Sequence, residues 1–223
     1  MNTPTRNSNP ELELLSCDIR DHNSAILRAE TQSYIQKSFA DAYGAEISEF
    51  MPILLCLKDN ASEIRAALGL RAAEHSDLFL ENYLNRPVEQ AMATAFEQPV
   101  NRNGIVEVGN LAVGTRGDAR ALIIAMTALL YSAQYEWVCF TIGPVLINSF
   151  TRLGLPLIDL GAASIDHLPS SERLAWGNYY DQKPRVMAGR LSDAYEFLAC
   201  YSLQEKVFHS LWLEAQRIGR AAA

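Results

Sequence analysis

The chain has 223 residues, 49% of them hydrophobic and 20% charged, enough apolar material to bury a substantial core without metals or disulfide staples. Its formal net charge of −7 excludes a broadly basic surface of the kind that neutralises nucleic-acid phosphates. Cys17, Cys56, Cys139 and Cys200 lie far apart with no CxxC pair, so they read as reduced thiols of a reducing, cytoplasmic compartment.

Met1 to Pro10 is polar, lacks the basic-then-apolar order of a secretory signal, and is expected to be a flexible tail. Glu11 to Ser16 reads as a short strand. Over Ala25 to Tyr43, Ile26, Tyr34, Ile35 and Phe39 recur at near-helical spacing, with Asn23 or Ser24 as cap and Gly44 as stop. Ile53 to Leu57 is an apolar run suited to a buried strand, and after the turn signal Lys58-Asp59-Asn60 the segment Ile64 to Ala72 reads as its hairpin partner. Phe79 to Leu84 and Val88 to Phe96 look helical, with Pro87 at the first turn of the second, where a missing N–H does no harm.

After a loop from Glu97 to Gly104, the order is strand (Ile105 to Val113), helix (Asp118 to Tyr135), strand (Trp137 to Ile142) and helix (Val145 to Leu153), ended by Gly154. That order implies two parallel strands joined by a right-handed crossover. Pro156 to Leu160 and Arg185 to Leu191 are further strand candidates. From Ser192 onward, Ala194, Phe197, Leu198, Tyr201, Phe208, Leu211, Trp212 and Ala215 form the stripe of an amphipathic helix that packs on its own domain or on a partner. The most apolar segment, Ala121 to Tyr131, is shorter than the ~20 residues of a membrane-spanning helix. The organisation read here is a tail at 1–10, an α/β domain at 11–191 and a C-terminal amphipathic helix at 192–223.

Candidate chemistry collects around the strand Ile105 to Val113. Gly109 inside it marks a bulge, a close approach by a ligand, or simple relief of crowding. A bulge would splay this strand from the one at Trp137 and open main-chain groups to an extended thioester arm. Glu107 stands in an otherwise apolar strand; enclosed, it needs a partner or a raised pKa and can serve as a general base toward an amine, whereas turned outward it is an ordinary strand carboxylate. Asn110, three residues on, has a polar side chain that could orient a substrate. Gly114-Thr115-Arg116-Gly117 leads into a helix whose N-terminus could receive a pyrophosphate, although Asp118 carries the opposing charge and equally suits an N-cap. His22, His75, His167 and His209 are scattered without ligand spacing, so no metal site is expected.

Four ordered blocks carry a family resemblance: Phe79-Leu80-Glu81-Asn82-Tyr83-Leu84 with Pro87 and Glu89; Glu107-Val108-Gly109-Asn110-Leu111-Ala112; Asn148 to Leu155; and Trp176-Gly177-Asn178-Tyr179-Tyr180. Together they resemble the thermostable hemolysin family over roughly Ile35 to Leu191. That family is similar in turn to acyl-homoserine-lactone synthases and to the wider GCN5-related N-acetyltransferase (GNAT) fold. The resemblance implies a GNAT-like mixed sheet with a splayed, bulged strand flanked by helices, and an acyltransferase taking acyl groups from acyl-CoA or an acyl carrier protein, with no permanently bound cofactor. It implies catalytic roles for Glu107 and Asn110, donor contacts from Gly109, Leu111, Val113, Arg116, Gly117 and Asn148, and acceptor contacts from Trp176, Tyr179 and Tyr180. The acceptor is a small amine, amino-acid-like, and the arrangement leaves room for a homodimer. Asn110 stands where the lactone synthases carry an arginine, which argues against a lactone product; the reduced loop Arg116-Gly117-Asp118-Ala119 favours a carrier-tethered donor. Taken literally, the family name offers a membrane-active lytic protein as the alternative, and a non-catalytic binding module as a third reading.

Overall fold

The structure, a computed structural model, describes residues 12–223; the tail expected at 1–10 and Glu11 of the expected first strand lie outside the described residues. β1 (Glu13–Asp18), β2 (Ile53–Lys58), β3 (Ile64–Ala72) and β4 (Ile105–Val113) run antiparallel in succession. β5 (Trp137–Ile142) lies parallel to β4, as the sequence predicts, and β6 (Ile158–Ala162) and β7 (Arg185–Arg190) complete a seven-stranded mixed sheet of order β1-β2-β3-β4-β5-β7-β6. The continuous apolar runs of β2 and β5 follow from burial on both faces.

Alternation along β4 sorts its side chains. Val106 and Val108 join the core built with α3 (Arg116–Ser132), α6 (Leu191–Gln204) and α7 (Lys206–Ala222), whereas Ile105 joins the core of α2 (Val88–Phe96). α1 (Ala25–Tyr43) packs Ile35 and Phe39 on Leu54 and Cys56. α4 (Pro144–Arg152) follows β5 directly, and the short α5 (Ser170–Arg173) lies in the long connection before β7.

Three differences from the sequence reading have local causes. The helix expected over Phe79 to Leu84 is a 3-10 turn, Phe79–Tyr83, in which the Glu81 carboxylate accepts the N–H groups of Leu78 and Val88, both at 2.8 Å, and so closes the loop before a full α-turn can propagate. α3 starts at Arg116 behind a Thr115 cap and ends at Ser132, because Gln134 turns to φ +68 and the Tyr135 N–H bonds back to the Leu130 carbonyl. The C-terminal segment is two helices, broken where Glu205 adopts extended geometry (φ −107, ψ 93), and the break lets both pack on α3. α7 buries Leu211, Trp212 and Ala215 in the core, and at Gly219 it crosses α3 so closely that a Cβ would lie 2.2 Å from the Leu129 carbonyl oxygen. No helix among the described residues is long and apolar enough to cross a membrane.

Candidate active site

Pairing between β4 and β5 runs from Ile105↔Trp137 to Val108↔Phe140 and stops there. On the other side, the β3–β4 register passes from Gly69↔Gly109 to Ala67↔Ala112, so Asn110 and Leu111 oppose Leu68 alone. This is a β-bulge, and its kink carries β4 away from β5. Asn110 takes the strained backbone, at φ +49, a left-handed geometry that asparagine tolerates better than most residues. The bulge thus sits just past the glycine that signals it.

Gly109 answers to crowding. With its partner Gly69 it makes a side-chain-free patch on which Met51 lies flat: a Cβ at Gly109 would fall 2.4 Å from Met51 Cε, and one at Gly69 2.5 Å from Met51 Cβ. The segment 45–52 is fastened across the bulge by two side chains making four hydrogen bonds. The Asn110 Oδ1 accepts the Met51 N–H at 2.9 Å, its Nδ2 donates to the Glu49 carbonyl at 3.2 Å, and the buried Arg28 guanidinium donates to the Met51 and Pro52 carbonyls, each at 2.9 Å. The Asn110 amide therefore braces this segment.

The splay opens into a cavity of about 170 Å³. Val108, Leu111, Ile142 and Leu146 line it from the α3 side of the sheet, and Phe39, Tyr43, Met51, Trp176 and Tyr179 from the α1 side, so it passes through the gap between β4 and β5. Its α1 side is an aromatic wall, with centroid separations of 5.2 Å for Tyr43–Tyr179, 5.4 Å for Trp176–Tyr179 and 5.7 Å for Phe79–Trp176. The Tyr179 hydroxyl donates to the Thr141 carbonyl at 3.2 Å. Trp176 is held by a tight turn: Gly177, at φ +52, passes so near the end of α1 that a Cβ would meet the Tyr43 carbonyl at 2.1 Å.

Glu107 lies on this wall and is only 2% exposed. Its Oε2 accepts the Phe79 N–H and its Oε1 the Leu80 N–H, both at 2.9 Å. Burial pushes its carboxyl up to about 7, even though the two N–H donors and the nearby Arg71 favour the charged form. Glu81, close by, goes the other way. Burial alone would raise it, but hydrogen bonds from Arg102 and from the Leu78 and Val88 amides hold it at about 2. The Tyr83 and Tyr180 hydroxyls bond to one another, and burial raises both, Tyr180 to about 12, so each is a neutral phenol at physiological pH.

Of the residues singled out from the sequence, Glu107, Gly109, Asn110, Leu111, Trp176 and Tyr179 come together around the cavity. Tyr180 stands behind the wall on Tyr83, and Val113, Arg116, Gly117 and Asn148 are not among the lining residues. At the start of α3 the Thr115 hydroxyl donates to Asp118 Oδ2 at 2.7 Å and accepts the Asp118 N–H at 3.3 Å, with Arg65 3.8 Å from the same carboxylate. This helix N-terminus already carries an acidic side chain, 6% exposed. Sequence reasoning missed Arg71, Met51 and Thr141. Arg71 had the signal that marked Glu107, a charge in an apolar strand. Thr141 lines the cavity with a buried hydroxyl that has no hydrogen-bond partner among the described residues. No cluster of potential metal ligands occurs among the described residues.

The sequence profile of the family described as thermostable hemolysin matches residues 22–195. No curated protein matches the sequence. Among solved structures, the chain is similar to TofI in a ternary complex with an inhibitor and MTA, at 13% identity and TM-score 0.58, covering 84% of this chain and 96% of that one. It is similar to the AHL synthase LasI, at 9% identity and TM-score 0.57, covering 82% and 91%. It is also similar to FeeM, an N-acyl amino acid synthase from uncultured soil microbes, at 12% identity and TM-score 0.56, covering 82% and 93%. These likenesses show a GNAT-like fold of a mixed sheet flanked by helices.

Proposed function

The chain belongs to the thermostable hemolysin family, and from that premise we propose that it is an N-acyltransferase, moving an acyl group from a thioester of acyl carrier protein or coenzyme A to the amine of a small acceptor. The observation that carries this reading is the cavity through the β4–β5 splay with Glu107 on its wall. An acyl chain enters from the side of Leu111, Ile142 and Leu146. The main-chain groups of the bulge, which lie past the last β4–β5 pair, face the thioester carbonyl and supply hydrogen bonds to its developing oxyanion. The acceptor nitrogen attacks the carbonyl carbon, Glu107 takes the proton from that nitrogen, and the C–S bond breaks to release the thiolate, leaving an amide. A carboxyl held near 7 suits proton acceptance at neutral pH better than an ordinary glutamate.

The activity of FeeM as an N-acyl amino acid synthase supports an amine acceptor. The self-capped start of α3 supports a carrier-tethered donor over one anchored by pyrophosphate. Against the lytic reading, Leu211, Trp212 and Ala215 of the α7 stripe are already packed in the core against α3.

The test is to incubate the protein with acyl-carrier and coenzyme A thioesters and a panel of amines, following new amide by mass spectrometry and released thiol by colorimetry. Absence of amide from every pair, or formation undiminished by Glu107→Gln, sinks the proposal.

A further inference from the structure

We propose that Arg71 anchors a carboxylate of the acceptor, so that the acceptor is an α-amino acid held at both of its charged ends; the word acceptor rests on the acyl-transfer reading above. Arg71 is the only basic residue among the described residues lining the cavity. It is half-buried, yet no ion pair joins it to Glu107 or to any other carboxylate among the described residues. A guanidinium partly withdrawn from water and without a protein acceptor is ready to take an anion from outside. Glu107 does not fill that role: its oxygens accept the amides of Phe79 and Leu80, and the arginine stays outside ion-pair distance of them.

The register places the two charges correctly for one small molecule. Arg71 and Glu107 are direct partners across the antiparallel β3–β4 pair, so their side chains leave the same face of the sheet, with Cβ atoms about 5 Å apart. An α-amino acid carries its nitrogen and carboxylate on a single carbon, and a planar guanidinium matches a carboxylate with two parallel hydrogen bonds. With its carboxylate on Arg71, the amino acid turns its nitrogen toward Glu107 and the splay. The exposed Glu46, Glu49 and Glu172 at the rim attract the ammonium and repel a second carboxylate, which disfavours dicarboxylic acceptors.

Binding without any donor tests this. The protein is titrated with the common L-amino acids, and for each binder with its carboxamide and its decarboxylated amine, by calorimetry or ligand-observed NMR. At least one amino acid is expected to bind about tenfold or more tightly than its carboxamide. Arg71→Gln should erase that gap by weakening the acid alone, and Arg71→Lys should restore part of it; the lysine variant also carries the test if the glutamine variant melts early. The proposal is overturned if no amino acid binds, if acid and carboxamide bind alike, or if Arg71→Gln weakens both equally, the mark of a merely structural arginine. An amino acid held through Arg71 but never acylated counts against acyl transfer and leaves the anchor standing. Acylation of amines lacking a carboxylate as readily as of amino acids does the reverse.

Discussion

Arg71 and Glu107 face each other across one rung of the β3–β4 ladder, a cation and a carboxylate on the wall of the same cavity, and among the described residues only the carboxylate side chain has partners. That asymmetry sets the first expectation. Glu107 accepts a proton only when ionised, and burial holds its carboxyl at about 7. Amide formation should climb about tenfold per pH unit below neutrality and level off above it. Glu107→Gln should lower kcat/KM by about a hundredfold or more and flatten the profile. Arg71→Gln, which removes a neighbouring positive charge, should move the inflection to higher pH. Rates measured across the acid and neutral range read all three effects.

Stability should depend on pH through the same group, with a sign unlike that of most carboxylates. Its folded value of about 7 exceeds the ordinary 4.5, so the folded chain binds this proton more tightly than the unfolded chain. The resulting stabilisation is complete below 4.5 and disappears as pH rises to about 7, a loss on the order of 3 kcal/mol. Glu81, held at about 2, has the opposite slope: its contribution is complete above 4.5 and fades as pH falls toward 2. Urea melts of Glu107→Gln and Glu81→Gln should therefore lose different limbs of the wild-type pH curve. Identical curves for the two variants would refute the assignment.

The glycine pair beneath Met51 separates two kinds of overpacking. Gly109→Ala meets the far end of a flexible side chain, Met51 Cε, whereas Gly69→Ala meets Met51 Cβ and Cγ at 2.5 and 2.6 Å. Gly69→Ala should cost about 1–3 kcal/mol and Gly109→Ala less. In a Met51→Ala background the Gly109→Ala penalty should vanish while the Gly69→Ala penalty remains, because alanine keeps the offending Cβ. A double-mutant cycle by thermal melting decides the point.

Asn110 combines a backbone role with a bracing role, and two substitutions separate them. Asn110→Gly keeps access to φ +49 and loses the bonds to Met51 and Glu49; Asn110→Ala loses both. Alanine should destabilise by about 2 kcal/mol and glycine by less. Both should speed hydrogen exchange at the Met51 amide, which gives up its acceptor.

At the C-terminal end, Trp212 is 4% exposed in the core beneath α3. Trp212→Ala should cost about 3–5 kcal/mol, measured by denaturant titration. Since this helix face is already occupied, dye-loaded liposomes should remain sealed in the presence of the folded protein.

The run from β4 to α4 was legible because its signals are local: β-branched residues, a helical stripe, and turn residues at the joints. Glu107 stood out as a charge among Ile and Val. Arg71 was marked in the same way, but its significance depends on an antiparallel register that no single strand encodes. Gly109 pointed toward the bulge while Asn110 occupies it, since asparagine can adopt left-handed geometry without announcing it. Tyr179 and Tyr180 are neighbours in sequence, yet one lines the cavity and the other bonds to Tyr83, a division set by a 3-10 turn. The break at Glu205 escaped notice because the apolar stripe continues on both sides of it.

A strand that parts from its neighbour midway leaves an open sheet edge inside the molecule. Exposed edges recruit other strands, and proteins ordinarily blunt them with kinks, charge or cover. Here the bulge kinks the edge beyond Val108, and the segment 45–52, held by Asn110 and Arg28, lies beside it. The same fastenings that shape the cavity thus border this edge, and loosening them should open it to other strands. Variants that loosen them should aggregate before they unfold, and a ligand lying along β4 should act as a chaperone for the chain that binds it.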